Sequence, residues 1–486
     1  VVKVDGQIAD VELQDGVVAT LPWDGMKWAR RYKTDTRQGT APKQAADILA
    51  AGEQVWVRKV GETWHLSQVP DANTAMVAMS PENGAVKALV GGFNFVHSKF
   101  NRATQSVRQV GSGIKPFIYS AALEQGMTLA TLINDAPINK WDSSQGTAWR
   151  PKNSPPTYSG PTRARIGLAQ SKNVMAVRVL RRVGMDETID FLTRFGFKHD
   201  DLPRSETIAL GAGSLTPIEV AQGFSVFANG GYYLAPYYIS KVEDPFGKEL
   251  FQATPQTICR DNCEETGSDK LHSDNMQEEV SLLDQTADME NALAKNFAPH
   301  VITEQNAFLV REMLEANIWG GGDWRQGTGW NGTGWRAQKL KRRDIGGKTG
   351  TTNDSKDAWY TGFAPGLVAT VWVGFDDHSR ELGKTARNAN LDKDQISGAE
   401  AGAKTAQPAW IDFMADALVD VPVQNKVIPS DIVKVRIDRD TGLLTRKSDG
   451  SSMFEYFKKG TEPTDYVTSA AASGGNIYES EGEELF

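Results

Sequence analysis

The 486-residue chain has only two cysteines and six histidines, and no apolar run that approaches 18 residues. No transmembrane helix and no signal peptide is therefore expected within it. The histidines form no His-Glu-x-x-His pair and no triad-like group, so none is assigned to catalysis and no metal site is expected. Cys259 and Cys263 lack the partners of a zinc site, with His272 the single nearby candidate. A short-loop disulfide and a pair of free surface thiols are both consistent with their spacing. Basic charge is also scarce: 53 Lys and Arg against 61 Asp and Glu leave a net charge of −8, which argues against a nucleic-acid partner. The one basic stretch, Lys339–Arg343, reads as a solvated lead-in to a strand.

Three short motifs are present, in order: Ser112-Gly-Ile-Lys115, Ser171-Lys-Asn173 and Lys348-Thr-Gly350. The spacing of Ser112 and Lys115 puts both on one helical face. A serine hydroxyl is a weak nucleophile that needs a nearby base. A lysine serves as that base only if burial or a neighbouring cation lowers its pKa, and Lys348 and Lys172 are the candidate cations. Gly111 and Gly113 allow a sharp turn into a helix, Pro116 fits its first turn, and Ser112 then lies at a helix N-terminus. Ser171 has an apolar, packed sequence context, whereas the second match to its motif, Ser273-Asp-Asn275, lies in a polar run and reads as a coincidence. The Ser171 hydroxyl can relay a proton and the Asn173 amide can bind a peptide group. Around Pro365-Gly366, Ala358–Phe363 and Leu367–Phe375 read as an antiparallel hairpin, with Lys348 on the strand beside it. Bare backbone at Gly347 and Gly350 admits a ligand, and Lys348, Thr349 and Thr351 can hold a carboxylate. Taken singly, each motif has an ordinary reading: Ser112 as a helix cap, Lys348 as a surface lysine. Their order and settings together favour an acyl-serine enzyme with lysine as proton carrier.

Longer segments carry a family resemblance. Thr74–Gly92, Asn101-Arg-Ala103, Trp149–Asn153, Ala209–Ala221 with Phe227–Gly231, and Gly332-Thr-Gly-Trp-Arg-Ala337 resemble the class A penicillin-binding proteins, most closely their 1a type in Gram-negative bacteria. Val110 departs from the pattern, standing where many members have proline. The resemblance spans roughly residues 74 to 420. It implies an α+β fold, the serine β-lactamase/penicillin-binding transpeptidase fold, with an antiparallel five-stranded sheet packed by helices. It implies that Ser112 attacks a D-alanyl-D-alanine stem peptide, that Lys115 takes its proton, and that Ser171 and Lys348 pass one to the leaving D-alanine. Thr349, Gly350, Thr351 and Asn173 would bind substrate or β-lactam, and the N–H groups of Ser112 and Thr351 would form the oxyanion hole. Cross-links between peptidoglycan stem peptides are the implied product, with no cofactor. The family also implies a membrane anchor and a glycosyltransferase domain, neither readable here, so the chain is expected to begin after them, at the periplasmic face of the inner membrane.

Three units are expected. Residues 1–70 hold five short β runs, Val1–Val4, Ile8–Leu13, Val17–Leu21, Val55–Val60 and Thr63–Leu66, which suggest a small OB-like barrel and a docking surface for a regulatory protein. Residues 71–421 form the transpeptidase, with a polar excursion at about 240–300 and a Trp-rich, Gly-rich loop at 319–335. Residues 422–486 add an extension with a hairpin built from Ile432–Ile437 and Asp440–Leu444, then an acidic end. The alternatives are a DD-carboxypeptidase or β-lactamase of the same fold, or a β-lactam sensor without turnover. A class A β-lactamase needs a glutamate-activated water, for which Glu206 is the nearest candidate.

Overall fold

The computed structural model describes residues 1–34, 37–138, 140–142, 147–259, 296–393 and 395–467. Its centre is an antiparallel five-stranded sheet in the order Gly346–Thr351, Asp357–Ala364, Leu367–Gly374, Asn73–Met79, Val86–Val90. The hairpin around Pro365-Gly366 and the strand carrying Lys348 form as expected, with Lys348 opposite Thr361. Side chains alternate between the faces of a strand, and both faces here are covered. Trp359, Phe363, Val77 and Trp372 join the larger core on one face, while Tyr360, Ala364, Ala369 and Val371 join Trp410 and Met414 on the other. That double cover explains why every residue of Asp357–Ala364 is buried.

The axis of the larger core is the helix Lys115–Glu124, which begins directly after the 3-10 turn Gly111–Ile114. It is buried almost all round, so its sequence is apolar without a polar face. Phe117 sits among Phe195, Phe197, Phe224 and Phe227 with ring centroids 4.9 to 5.5 Å apart, mostly edge to face. Such pairs add roughly 0.5–1.5 kcal/mol each beyond the area they bury. The helix Pro217–Asn229, which packs here, begins with a Thr216–Glu219 capping box and ends at left-handed Gly230. Ser112 caps neither the 3-10 turn, whose N-cap is Val110, nor the helix, whose N-cap is Ile114. Its ordinary reading as a cap therefore fails.

The five N-terminal runs are all strands, but they pair as a three-stranded ladder of Lys3–Asp5, Ile8–Glu12 and Val18–Leu21, and a separate hairpin of Trp56–Val60 with Thr63–Ser67. Leu21, Val11, Met26, Leu49 and Leu66 unite them in one small core, so packing and not a continuous hydrogen-bonded barrel joins the ladders. Asn388 and Asn390 tie this unit to the rest by donating to the carbonyls of Lys27, Trp28 and Pro42.

Two expectations need correction. The C-terminal strand Ile432–Asp438 turns tightly at Asp440–Gly442 and Leu444 comes back antiparallel to Ile437 in a single bridge, but the long hairpin partner is Ser452–Lys458. The return strand is fixed by Glu455, which is buried against Arg163 and Arg165 of the main domain at 3.5 and 2.6 Å. Within Lys339–Arg343, Arg342 is not solvated. It is buried on Asp344 and on the carbonyls of Leu418, Val421 and Pro422, where it anchors the chain leaving the helix Gln407–Ala417. Cys259 is disulfide-bonded; Cys263, the other cysteine of the chain, His272, Ser273 and the acidic end lie outside the described residues.

Glu455→Gln would leave two buried guanidinium groups with less compensation, so unfolding free energy should fall by about 3 kcal/mol. Thermal melting should show the loss, and an unchanged melting temperature would mean that the hairpin does not depend on this ion pair.

Candidate active site

The three motifs converge. Ser112 is half-buried at the start of the central helix, preceded by Gly111 at φ +53°. A Cβ on Gly111 would lie 2.5 Å from the carbonyl oxygen of Thr351, so only a glycine lets the serine turn meet the edge strand this closely. Gly350 has the reciprocal role: its Cβ would lie 2.5 Å from the carbonyl oxygen of Val110. The backbones of Ser112 and Thr351 are thereby brought to one place.

Ser171 sits between the two lysines. Lys348 Nζ donates to Ser171 Oγ at 2.8 Å and to the Thr349 carbonyl at 2.9 Å. Lys115 Nζ donates to the Ser171 carbonyl at 2.8 Å, to Asn173 Oδ1 at 2.6 Å and, more weakly, to Ser171 Oγ at 3.4 Å. Ser171 has φ +58°, a left-handed conformation that costs a non-glycine residue roughly 1 kcal/mol. That conformation lets its carbonyl face one lysine and its hydroxyl the other. Asn173 starts the helix Asn173–Val183, whose N-cap residue, Lys172, supplies no side-chain cap. Asn153 substitutes, its Oδ1 accepting from the N–H groups of Asn173 and Val174 at 2.8 and 3.3 Å. The Asn173 amide donates to the Lys152 carbonyl at 2.7 Å.

Both catalytic-candidate lysines are buried. Burial, with the Lys348 ammonium as a smaller cause, holds Lys115 well below the usual lysine range. Burial likewise pushes Lys348 down to about 7. Desolvation therefore outweighs the cationic neighbour expected to tune Lys115. Lys172, the other expected neighbour, does not act on it; it pairs with buried Asp135 at 3.0 Å. Thr351 Oγ1 accepts from the Gly402 N–H at 3.0 Å, and Thr349 Oγ1 lies 2.7 Å from Thr333 Oγ1. Among the described residues no group of three His, Cys, Asp or Glu is placed to hold a metal ion.

Residues 74–391 match the model of the penicillin-binding protein transpeptidase domain, residues 1–72 the penicillin-binding protein OB-like domain, and residues 428–470 the penicillin-binding protein 1A C-terminal domain. Penicillin-binding protein 1A of Vibrio cholerae serotype O1 is 65% identical over 100% of this chain and 57% of its own length. The chain belongs to the class A penicillin-binding proteins, 1A type. The Escherichia coli K12 protein of that description is 47% identical over 100% of this chain and 58% of its own length. The crystal structure of penicillin-binding protein 1A from Haemophilus influenzae superposes with a TM-score of 0.79 at 42% identity, covering 96% of this chain and 63% of that one. The chain thus spans little more than half the length of the curated relatives.

Within this 1A-type fold, the residues missed in the sequence are supports. Asn153 and Asp135 hold the start of the Asn173 helix; Asn153 lies in Trp149–Asn153, one of the segments that carry the resemblance, and Asp135 lies in none of them. Glu206 is held by Arg181 at 2.9 and 3.2 Å. Of the loop tryptophans, Trp324 and Trp335 are exposed, while Trp319 is half-buried with Arg343 stacked 3.9 Å above its ring.

A lysine whose pKa falls from 10.5 to about 7 on folding binds fewer protons folded than unfolded. Its burial therefore costs most below the folded pKa and least above the unfolded one. Lys348→Met should raise the melting temperature, relative to the unsubstituted chain, more at about pH 6 than at about pH 10. Equal shifts at both pH values would mean that the amine is not desolvated.

Proposed function

We propose that this chain is a peptidoglycan DD-transpeptidase that forms cross-links between stem peptides through a Ser112 acyl-enzyme and is inhibited by β-lactams. The observation that carries this reading is the buried pair of lysines around Ser171 beside the half-buried Ser112. As a neutral amine, Lys115 would spend its two hydrogens on the short bonds to Ser171 O and Asn173 Oδ1; the 3.4 Å contact with Ser171 Oγ would then not be a donation, and the lone pair would be left to accept a proton.

In this reading, Ser112 Oγ attacks the carbonyl of the penultimate D-alanine as its proton passes to Lys115. The N–H groups of Ser112 and Thr351 receive the oxyanion. Ser171, hydrogen-bonded to Lys348, delivers a proton to the departing D-alanine nitrogen as the peptide bond breaks. Lys348, Thr349 and Thr351 hold the terminal carboxylate beside the bare backbone of Gly350, and Asn173 orients the peptide. The amine of a second stem peptide then attacks the ester, forms the new amide and returns Ser112 to its hydroxyl. The Arg181 grip on Glu206 counts against the β-lactamase alternative, because a carboxylate so held is not offered to a deacylating water.

Residues 1–70, 71–421 and 422–486 serve as OB-like unit, transpeptidase and C-terminal extension. The OB-like unit docks a regulatory protein, a role supported by exposed Tyr32 and Trp56. The longer protein acts at the periplasmic face of the inner membrane and carries a glycosyltransferase; no helix among the described residues is long and apolar enough to cross a membrane.

Intact-protein mass after brief exposure to benzylpenicillin, followed over hours, tests the reading. One persistent adduct is expected, absent from Ser112→Ala. An adduct that vanishes within seconds would point to a β-lactamase, and no adduct would mean that the motifs do not form a competent site. Lys348→Ala should also move the acidic limb of acylation to higher pH, because it removes both a charge and part of the burial that depress Lys115. An unmoved limb would sink that tuning role.

A further inference from the structure

The segment Gly332-Thr333-Gly334 lies against the last turn of the helix Glu304–Trp319, and its contacts fix a direction of hydrogen bonding. Asn317 is fully buried. Its Nδ2 donates to the Ala169 carbonyl at 2.7 Å and to Thr333 Oγ1 at 2.8 Å. A backbone carbonyl only accepts, so the amide must turn its nitrogen to this side. Its Oδ1 is left buried without a partner, so the orientation is imposed by the surroundings. Thr333 Oγ1 accepts from Asn317, and Thr349 Oγ1, 2.7 Å away, is within reach of its own hydrogen, in a contact whose geometry allows either hydroxyl to donate. With Thr333 as the donor, Thr349 Oγ1 accepts and its hydrogen is free for a ligand. The flanking glycines permit this. A Cβ on Gly332 would lie 2.1 Å from the Asn317 carbonyl oxygen, and one on Gly334 would lie 2.4 Å from Asn317 Oδ1. The Thr333 N–H also donates to Ala169 O at 3.1 Å, so one carbonyl two residues before Ser171 registers the Ser171 loop against the Lys348 strand.

We infer that Asn317 and Thr333 are positioning residues that hold the Thr349 hydroxyl as a hydrogen-bond donor toward the carboxylate of the bound peptide or β-lactam. This rests on the reading of Thr349 as a carboxylate-binding residue. A hydroxyl with no imposed direction offers a carboxylate its lone pairs as readily as its hydrogen; the relay removes that choice before the ligand arrives.

The test compares rates of Ser112 acylation, by intact mass, for benzylpenicillin and its methyl ester in the unsubstituted chain, Thr333→Val and Thr333→Ser. Thr333→Val keeps the shape and removes the relay. It should slow acylation by the acid about 10-fold, the loss expected for a misdirected donor to a charged group, and change the ester rate by less than about twofold. Thr333→Ser should restore the preference for the acid. Should Thr333→Val not fold, Thr333→Ala provides the second variant: it also removes the relaying hydroxyl and should give the same acid-selective slowing. Equal slowing of acid and ester would reduce both residues to a structural role and overturn the inference, as would no slowing at all. If the unsubstituted chain takes neither compound, the transpeptidase reading itself falls and this inference with it.

Discussion

Two lysine side chains buried against one serine are the constraint on which the rest of this structure depends. Removing an ammonium group from water is costly, and a protein meets that cost either by pairing the charge or by giving up the proton. Lys115 and Lys348 have no carboxylate partner among their hydrogen bonds; each meets carbonyl and hydroxyl oxygens only. The amines are thereby driven toward their neutral form, the form a base must have. Lys172, one residue from Ser171, has the opposite fate: Asp135 neutralises it, and it keeps an ordinary ion pair. Lys172 differs from the two buried lysines in both respects: it is only half-buried, and it has a carboxylate partner.

Holding those amines dry requires rigid walls on every side, and the fold supplies them from unlike elements. The central helix brings Lys115 from within the main core, the five-stranded sheet brings Lys348 from its edge, and a left-handed Ser171 joins them. Behind Lys348, the strand Asp357–Ala364 is buried on both faces, so the edge strand rests on a layer that cannot yield. Buried Arg108 pairs with Asp357 at 2.7 Å, and Trp372 donates to the same carboxylate at 3.0 Å, which pins the sheet to the segment just before Ser112. Asn153 performs the same service for the Asn173 helix. These supports are polar, buried and paired with one another, which favours one geometry over many.

Carboxylate recognition follows the same logic of direction fixed in advance. The contacts from Asn317 through Thr333 to Thr349 link the loop of Ser171 to the strand of Lys348, so the groups proposed to carry protons and those proposed to bind the ligand are registered by one carbonyl, that of Ala169. The C-terminal hairpin is attached through another buried charged cluster, Arg163, Arg165, Glu312 and Glu455, on the side of the Glu304–Trp319 helix that Arg165 reaches.

The sequence by itself determined the reactive inventory and the local elements. The order of Ser112, Ser171 and Lys348, the hairpin around Pro365-Gly366 and the five N-terminal strands were legible because each rests on spacing, periodicity or turn chemistry within a few residues. What tertiary structure alone decided involves partners far apart in the chain. Asp135, not a catalytic neighbour, claims Lys172. Asn153 caps a helix whose own N-cap residue does not. Arg342 leaves a stretch that reads as solvated to anchor Leu418 and Pro422. The nearest turn returns only Leu444 to Ile432–Asp438; the long partner strand is the one whose Glu455 meets Arg163 and Arg165. Burial and pairing across such separations depend on which surfaces meet, and no local pattern records that.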